Sequence, residues 1–172
     1  MMKTTHGKDF NQHGPTAVAS EGSALFEILR QDHETLRDIF KRIEQSNNGQ
    51  IAVRQELFAK LERQFLDHME AEERFFYTAL EQHDESRPKV LESFEQHQVA
   101  RIVIGTFTSL AVDDERWPAK LKTLGKLFRQ HADEEEHELF ALAKKVLSPD
   151  QLQGITGKVR ELRHDRKNPA RS

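Results

Sequence analysis

The chain has 172 residues and a net charge of −3, long enough to bury one sizeable core and without the basic excess that points to nucleic acid. It has no cysteine, which excludes disulfides, thiolate ligands and ordinary iron–sulfur clusters and leaves His, Asp, Glu, Tyr and water for any metal chemistry. No segment approaches the roughly 20 apolar residues that cross a bilayer, and residues 1–22 lack the apolar centre of a secretory signal, so the sequence reads as a cytoplasmic protein without membrane contact.

Residues 1–22, with Gly7, Gly14 and Pro15 among polar groups, read as an arm. A first helix is predicted from about Ser23 to Gln45, where Leu25, Leu29, Leu36, Phe40 and Ile43 recur at helical intervals and His33 falls on the same stripe. A second, roughly Ile51 to Gln82, carries Leu57, Leu61, Phe65, His68, Glu72, Phe75 and Ala79 on one face. The third, about Pro88 to Val112, shows Val90, Phe94, His97, Ala100, Ile104 and Phe107, and the fourth, about Pro118 to Leu147, shows Leu121, Leu124, Phe128, His131, Glu135 and Leu142. The segment Ser148-Pro149-Asp150-Gln151 offers a cap, a proline at the first helical position and an acidic first turn. It predicts a short fifth helix to about Leu162, interrupted by Gly154 and Gly157, followed by a polar tail from Arg163. The fold expected is all-α: an antiparallel up-down-up-down four-helix bundle over 23–147 with a short additional C-terminal helix and tail in 148–172.

His33, His68, His97 and His131 are almost evenly spaced, and the midpoint between each neighbouring pair falls on a turn signal: Asn47-Asn48-Gly49, Asp84-Glu85-Ser86, and Asp113-Asp114-Glu115. Reversal at each turn brings all four to one level of the bundle. The second hairpin also resembles a copy of the first. His97 follows His33 by 64 residues, and His131 and Glu135 follow His68 and Glu72 by 63. Arg37 parallels Arg101, and Glu72-Glu73 parallels Glu135-Glu136. Such a repeat predicts approximate two-fold symmetry, which by itself is a statement about architecture.

Burying these groups unpartnered costs at least several kcal/mol per ion, against a domain stability of about 5–15 kcal/mol. They therefore either hydrogen-bond one another, face water, or hold metal. Four histidines at one level with two glutamates beside them favour metal. Side chains four apart on a helix lie one above the other, so His68 can bind one ion while Glu72 bridges to a second, with His131 and Glu135 doing the same opposite. Bridging carboxylates with imidazole suit iron or manganese, iron being preferred here, and zinc accepts the same donors.

The residues Asp32-His33, His68-Met69-Glu70-Ala71-Glu72-Glu73, Glu95-Gln96-His97 and His131-Ala132-Asp133-Glu134-Glu135-Glu136 resemble the hemerythrin-like, or HHE cation-binding, family over roughly Ser23 to Leu147. The resemblance implies a four-helix bundle around two iron ions in an oxo- or hydroxo-bridged centre. His33 and His68 would serve one ion, His97 and His131 the other, and Glu72 and Glu135 would bridge. Two departures stand out. Oxygen-carrying members have a fifth histidine one turn from the third-helix ligand, where this chain has Ser93 and Arg101. Their second bridge is an aspartate five residues after the last histidine, where this chain has Glu135 at four and Glu136 at five. Six protein ligands leave a position for water or an exogenous ligand.

The function expected is that of a di-iron protein binding or reacting with dioxygen, peroxide or nitric oxide in a stress response. Two alternatives are an iron or oxygen sensor without turnover and a metal-free structural bundle. Beyond a small diatomic or peroxide ligand, no partner is predicted. Glu73 and Glu136 are read as surface groups, Arg37 and Arg101 as ordinary surface ion pairs, and Tyr77 as core. Asp32 is a candidate acceptor for an imidazole. His83 and His137 are read as solvent-facing, and His6, His13 and His164 as having no specific role.

Overall fold

The computed structural model describes residues 16–46 and 49–167, and among these there are helices and turns but no strand. Helix α1 spans Thr16–Gln45. Helix α2 begins as Ile51–Ala71, passes through a π-helical turn, Glu72–Tyr77, and ends as Thr78–Leu80. Helix α3 spans Arg87–Gly105 and tightens into a 3-10 turn, Thr106–Ser109. Helix α4 runs Trp117–Glu134, a π-helical turn Glu135–Leu139, then Phe140–Val146. Helix α5 spans Pro149–Lys167. No helix is long and apolar enough to cross a membrane among the described residues.

Local chemistry sets the boundaries. Pro88 and Pro118 sit in the first turns of α3 and α4, where a missing N–H costs nothing. The Ser148 hydroxyl accepts from the Gln151 N–H at 3.2 Å while Gln151 Oε1 accepts from the Ser148 N–H at 2.8 Å, a capping box that starts α5.

Three expectations change. Residues 16–22, read as arm, are helical, Ala17, Ala19 and Glu21 being good helix formers; His6, His13 and the rest of the arm lie outside the described residues. Helix α5 is neither short nor interrupted: Gly154 and Gly157 face open space, and an outward glycine weakens a helix by about 1 kcal/mol without removing its backbone hydrogen bonds. The helix also takes in Arg163–Lys167, assigned to the tail from sequence, while 168–172 lie outside the described residues.

The third change is in helical phase. Ordinary α-periodicity from Glu72 selects Phe75 and Ala79, yet the fully buried residues are Phe76, Tyr77 and Leu80. In α4, Leu139, Phe140 and Ala143 are buried, as is Leu147 just past its end, whereas Leu142 is only half-buried. Each π turn accommodates one extra residue and so advances the buried face by one position. Both begin at the glutamate that follows a histidine by four.

The helices pack around two apolar clusters. One contains Leu36, Phe40, Leu61, Phe65, Ile104, Trp117 and Phe128. The other contains Leu25, Leu29, Phe76, Tyr77, Leu80, Leu139 and Phe140, closed by Leu152, Ile155 and Val159 of α5. Between them lies a single polar layer holding His33, His68, Glu72, His97, His131 and Glu135, all buried.

Candidate metal centre

Each helix of the bundle contributes one histidine to this layer, and the four rings turn their Nε2 atoms inward. His33 Nε2 lies 3.1 Å from His68 Nε2, and His97 Nε2 lies 3.2 Å from His131 Nε2. Glu135 Oε2 is 3.2 Å from His33 Nε2, and Glu72 Oε1 is 3.2 Å from His68 Nε2. Glu72 Oε2 reaches to 3.4 Å from His97 Nε2. The donor atoms fall into two groups, one from His33, His68, His131 and Glu135 and one from Glu72, His97 and His131, each within 4.8 Å. The structure thus gathers all six candidate residues into one cluster, with His131 central to both groups.

The opposite edge of each ring is held from outside. His33 Nδ1 donates to Glu136 at 2.8 Å, and His97 Nδ1 donates to Glu73 at 2.8 Å. His131 Nδ1 donates to Gln96 Oε1 at 2.9 Å, and His68 Nδ1 faces Asp32 Oδ2 at 3.5 Å. A carboxylate or amide oxygen can only accept, so in a neutral ring these contacts keep the proton on Nδ1 and turn the Nε2 lone pair inward. Arg37 binds Glu136 at 3.2 Å, Arg101 binds Glu73 at 2.8 Å, and Arg163 of α5 pairs with Asp32.

Here the surface reading of Glu73 and Glu136 is corrected. Their side chains are only 21% and 19% exposed, because they lie against the rings of His97 and His33 on neighbouring helices. Arg37 and Arg101 are the outer supports of those glutamates rather than ordinary surface pairs. The signal was present in the repeat, since Glu73 and Glu136 are 63 residues apart and each follows a candidate ligand directly. Tyr77 is buried as expected, but its hydroxyl also enters the layer, 3.4 Å from both Glu72 Oε2 and His97 Nε2. His137 is exposed and bonds the Asp133 carbonyl, His83 is half-buried in its turn, and His164 is exposed on α5.

Three polar atoms of the layer, Glu72 Oε1, Glu135 Oε1 and His68 Nδ1, are buried without a hydrogen-bond partner, and Glu135 Oε2 has only the His33 ring, 3.2 Å away. Burial, then the charge of Glu135, pushes Glu72 well above the usual carboxylate range. Burial acts on Glu135 in the same direction, but the hydrogen bond and charge of His33 outweigh it and hold Glu135 near 2. Burial and the charge of His33 lower His68 to about 4 despite Asp32. Burial and His97 lower His131 well below its ordinary value. Inward-facing ring nitrogens and orphaned carboxylate oxygens in a buried layer are what a multivalent cation satisfies.

Residues 24–143 match the Hemerythrin HHE cation binding domain. The chain belongs to this family. No curated protein matches it at the level of whole sequences. The family's domain ends within α4, so the capped helix α5, whose Arg163 holds Asp32, lies outside the matched residues of this HHE protein. A cavity of about 430 Å³ adjoins His68 there, bounded by Asp32, Gln64, Arg63, Leu162, Arg163 and Arg166.

Proposed function

We propose that this HHE protein is a cytoplasmic non-haem di-iron protein whose bundle, antiparallel in its four main helices, binds a small diatomic or peroxide ligand as part of a stress response. Contacts that pair Ser46 with Arg54, Phe40 with Phe65 and His33 with His68 run in opposite directions along α1 and α2, which supports the antiparallel arrangement. His33 and His68 would hold one ion, His97 and His131 the other, with Glu72 and Glu135 between them. The observation that carries this reading is the set of orphaned oxygens on Glu72 and Glu135 surrounded by four inward Nε2 atoms.

A bound iron pair supplies Lewis acidity and redox capacity at the open coordination positions. The chain's own residues do the rest. Glu73, Glu136 and Gln96 fix the tautomer and direction of His97, His33 and His131. The two apolar clusters exclude water on either side and so strengthen every electrostatic contact in the layer. Tyr77 holds one oxygen of Glu72.

The test is metal content per chain after anaerobic purification, with the visible spectrum taken before and after air, repeated on Glu72→Ala and Glu135→Ala. About two irons in the parent chain and loss of most of them in the variants is the expected result. No metal after reconstitution, or full retention in both variants, overturns the assignment.

A sensing role has one observation in its favour: the Arg163–Asp32 ion pair ties α5 to the His68 side of the layer. Sensing predicts a large change in α5 protection from hydrogen exchange on metal loading and no catalytic consumption of peroxide or nitric oxide.

A further inference from the structure

The repeat that builds the layer is kept at the candidate ligands, at Glu73 and Glu136 and at Arg37 and Arg101, and three of the places where it breaks lie in or beside the layer. Offset by 63 or 64 residues, His33 matches His97, His68 matches His131, Glu72 matches Glu135, Glu73 matches Glu136 and Arg37 matches Arg101. Asp32, however, matches Gln96, Leu29 matches Ser93, and Tyr77 matches Phe140. The last two breaks bear on the same half. Tyr77 places a hydroxyl 3.4 Å from Glu72 Oε2 and 3.4 Å from His97 Nε2, and Ser93, only 4% exposed, lies beside that hydroxyl. At the equivalent place in the other half, Phe140 packs on Phe26 with ring centroids 4.8 Å apart, and Leu29 is fully buried. Glu135 Oε2 faces His33 Nε2 at 3.2 Å, whereas Glu72 Oε2 has the phenol of Tyr77, to which Phe140 offers no counterpart.

Glu72, His97 and His131 form one donor group of the layer, and the phenol of Tyr77 stands beside that group. From this we infer that the exogenous ligand is taken up beside Glu72, His97 and His131 and that Tyr77 Oη is the hydrogen-bond donor that receives it, a conclusion that rests on the metal reading above. A donor at this place selects for ligands with an anionic acceptor atom, a peroxide-type anion over neutral nitric oxide. It makes Tyr77 a specificity-determining residue and separates the roles of two otherwise repeated halves.

Azide serves as the anionic probe and nitric oxide as the neutral one, both on the iron-loaded full chain. In Tyr77→Phe with its metal content unchanged, azide affinity falls by roughly tenfold to a hundredfold, the range for a hydrogen bond to a charged group, while nitric oxide affinity changes far less. Tyr77 is the sole tyrosine, so the tyrosine ring doublet in the ultraviolet Raman spectrum of the parent protein reports this phenol alone. The phenol already donates to Glu72 Oε2, so azide exchanges one acceptor for another and shifts the doublet within the donor range. Unchanged azide affinity in the variant, equal losses for both probes, or an unmoved doublet overturns the inference while leaving the metal reading intact. A parent chain that holds no ion overturns both, and the doublet decides the matter should the variant fail to fold.

Discussion

His97 Nδ1 lies 2.8 Å from Oε1 of Glu73, a contact between helices α3 and α2 whose partners are 24 residues apart. Arg101 holds the other oxygen of Glu73 at 2.8 Å. Glu73→Gln keeps the shape but loses the charge that steadies the ring and raises its basicity. Metal affinity falls about 10- to 100-fold, the usual cost of losing a partner behind a ligand, as measured by competition with a chromophoric chelator. Glu136→Gln, which leaves His33 in the same position, behaves alike. An affinity unchanged in both would show that these carboxylates are surface groups after all.

Metal uptake releases protons. Burial opposes charge on His33, but hydrogen bonds to Glu135 and Glu136 and their charges prevail, so the metal-free ring titrates at about 9. Below that pH an ion must displace the His33 proton, and Glu72, its pKa raised well above the carboxylate range, resists ionisation in the same way. Apparent affinity therefore rises with pH, by about tenfold per unit for each proton displaced, and the rise from His33 ends as the pH passes about 9. Indicator dye in weak buffer during titration with ferrous ion checks the sign; an affinity flat from pH 6 to 9 contradicts it.

Arg163→Ala speeds metal loss. The substitution removes the partner of Asp32 and widens the cavity beside His68. Transfer of iron to an external chelator becomes several-fold faster, while the same change at exposed Arg160 on α5 has no effect. Equal rates in the two variants would place the route elsewhere.

Phe128 joins the polar layer to the apolar cluster beneath it, 5.2 Å from the Phe65 ring, 5.5 Å from Phe40 and 6.0 Å from His33. Phe128→Ala in metal-free protein costs about 3–5 kcal/mol, read from denaturant unfolding. A cost under about 1 kcal/mol would mean that the rings close over the gap.

The sequence by itself determined the helical class and the level at which the six polar residues meet. Both follow from short-range rules: apolar spacing near 3.6 residues sets which face is buried, and turn signals midway between His33, His68, His97 and His131 set where one helix ends and the next begins. The family was legible for the same reason, its motifs being local. What tertiary structure decided are the quantities that depend on two helices at once. The π turn at Glu72 moved the buried face from Phe75 to Phe76 and Tyr77, because packing of those rings against Phe26, Phe94 and Phe140 outweighs regular α-helical phase. Glu136 meets His33 across 103 residues of sequence, and Arg163 meets Asp32 across 131, separations that no periodicity along one helix encodes. Sequence marked the atoms that face the centre; only the packed bundle decided which groups stand behind them and which half of the repeat carries the phenol.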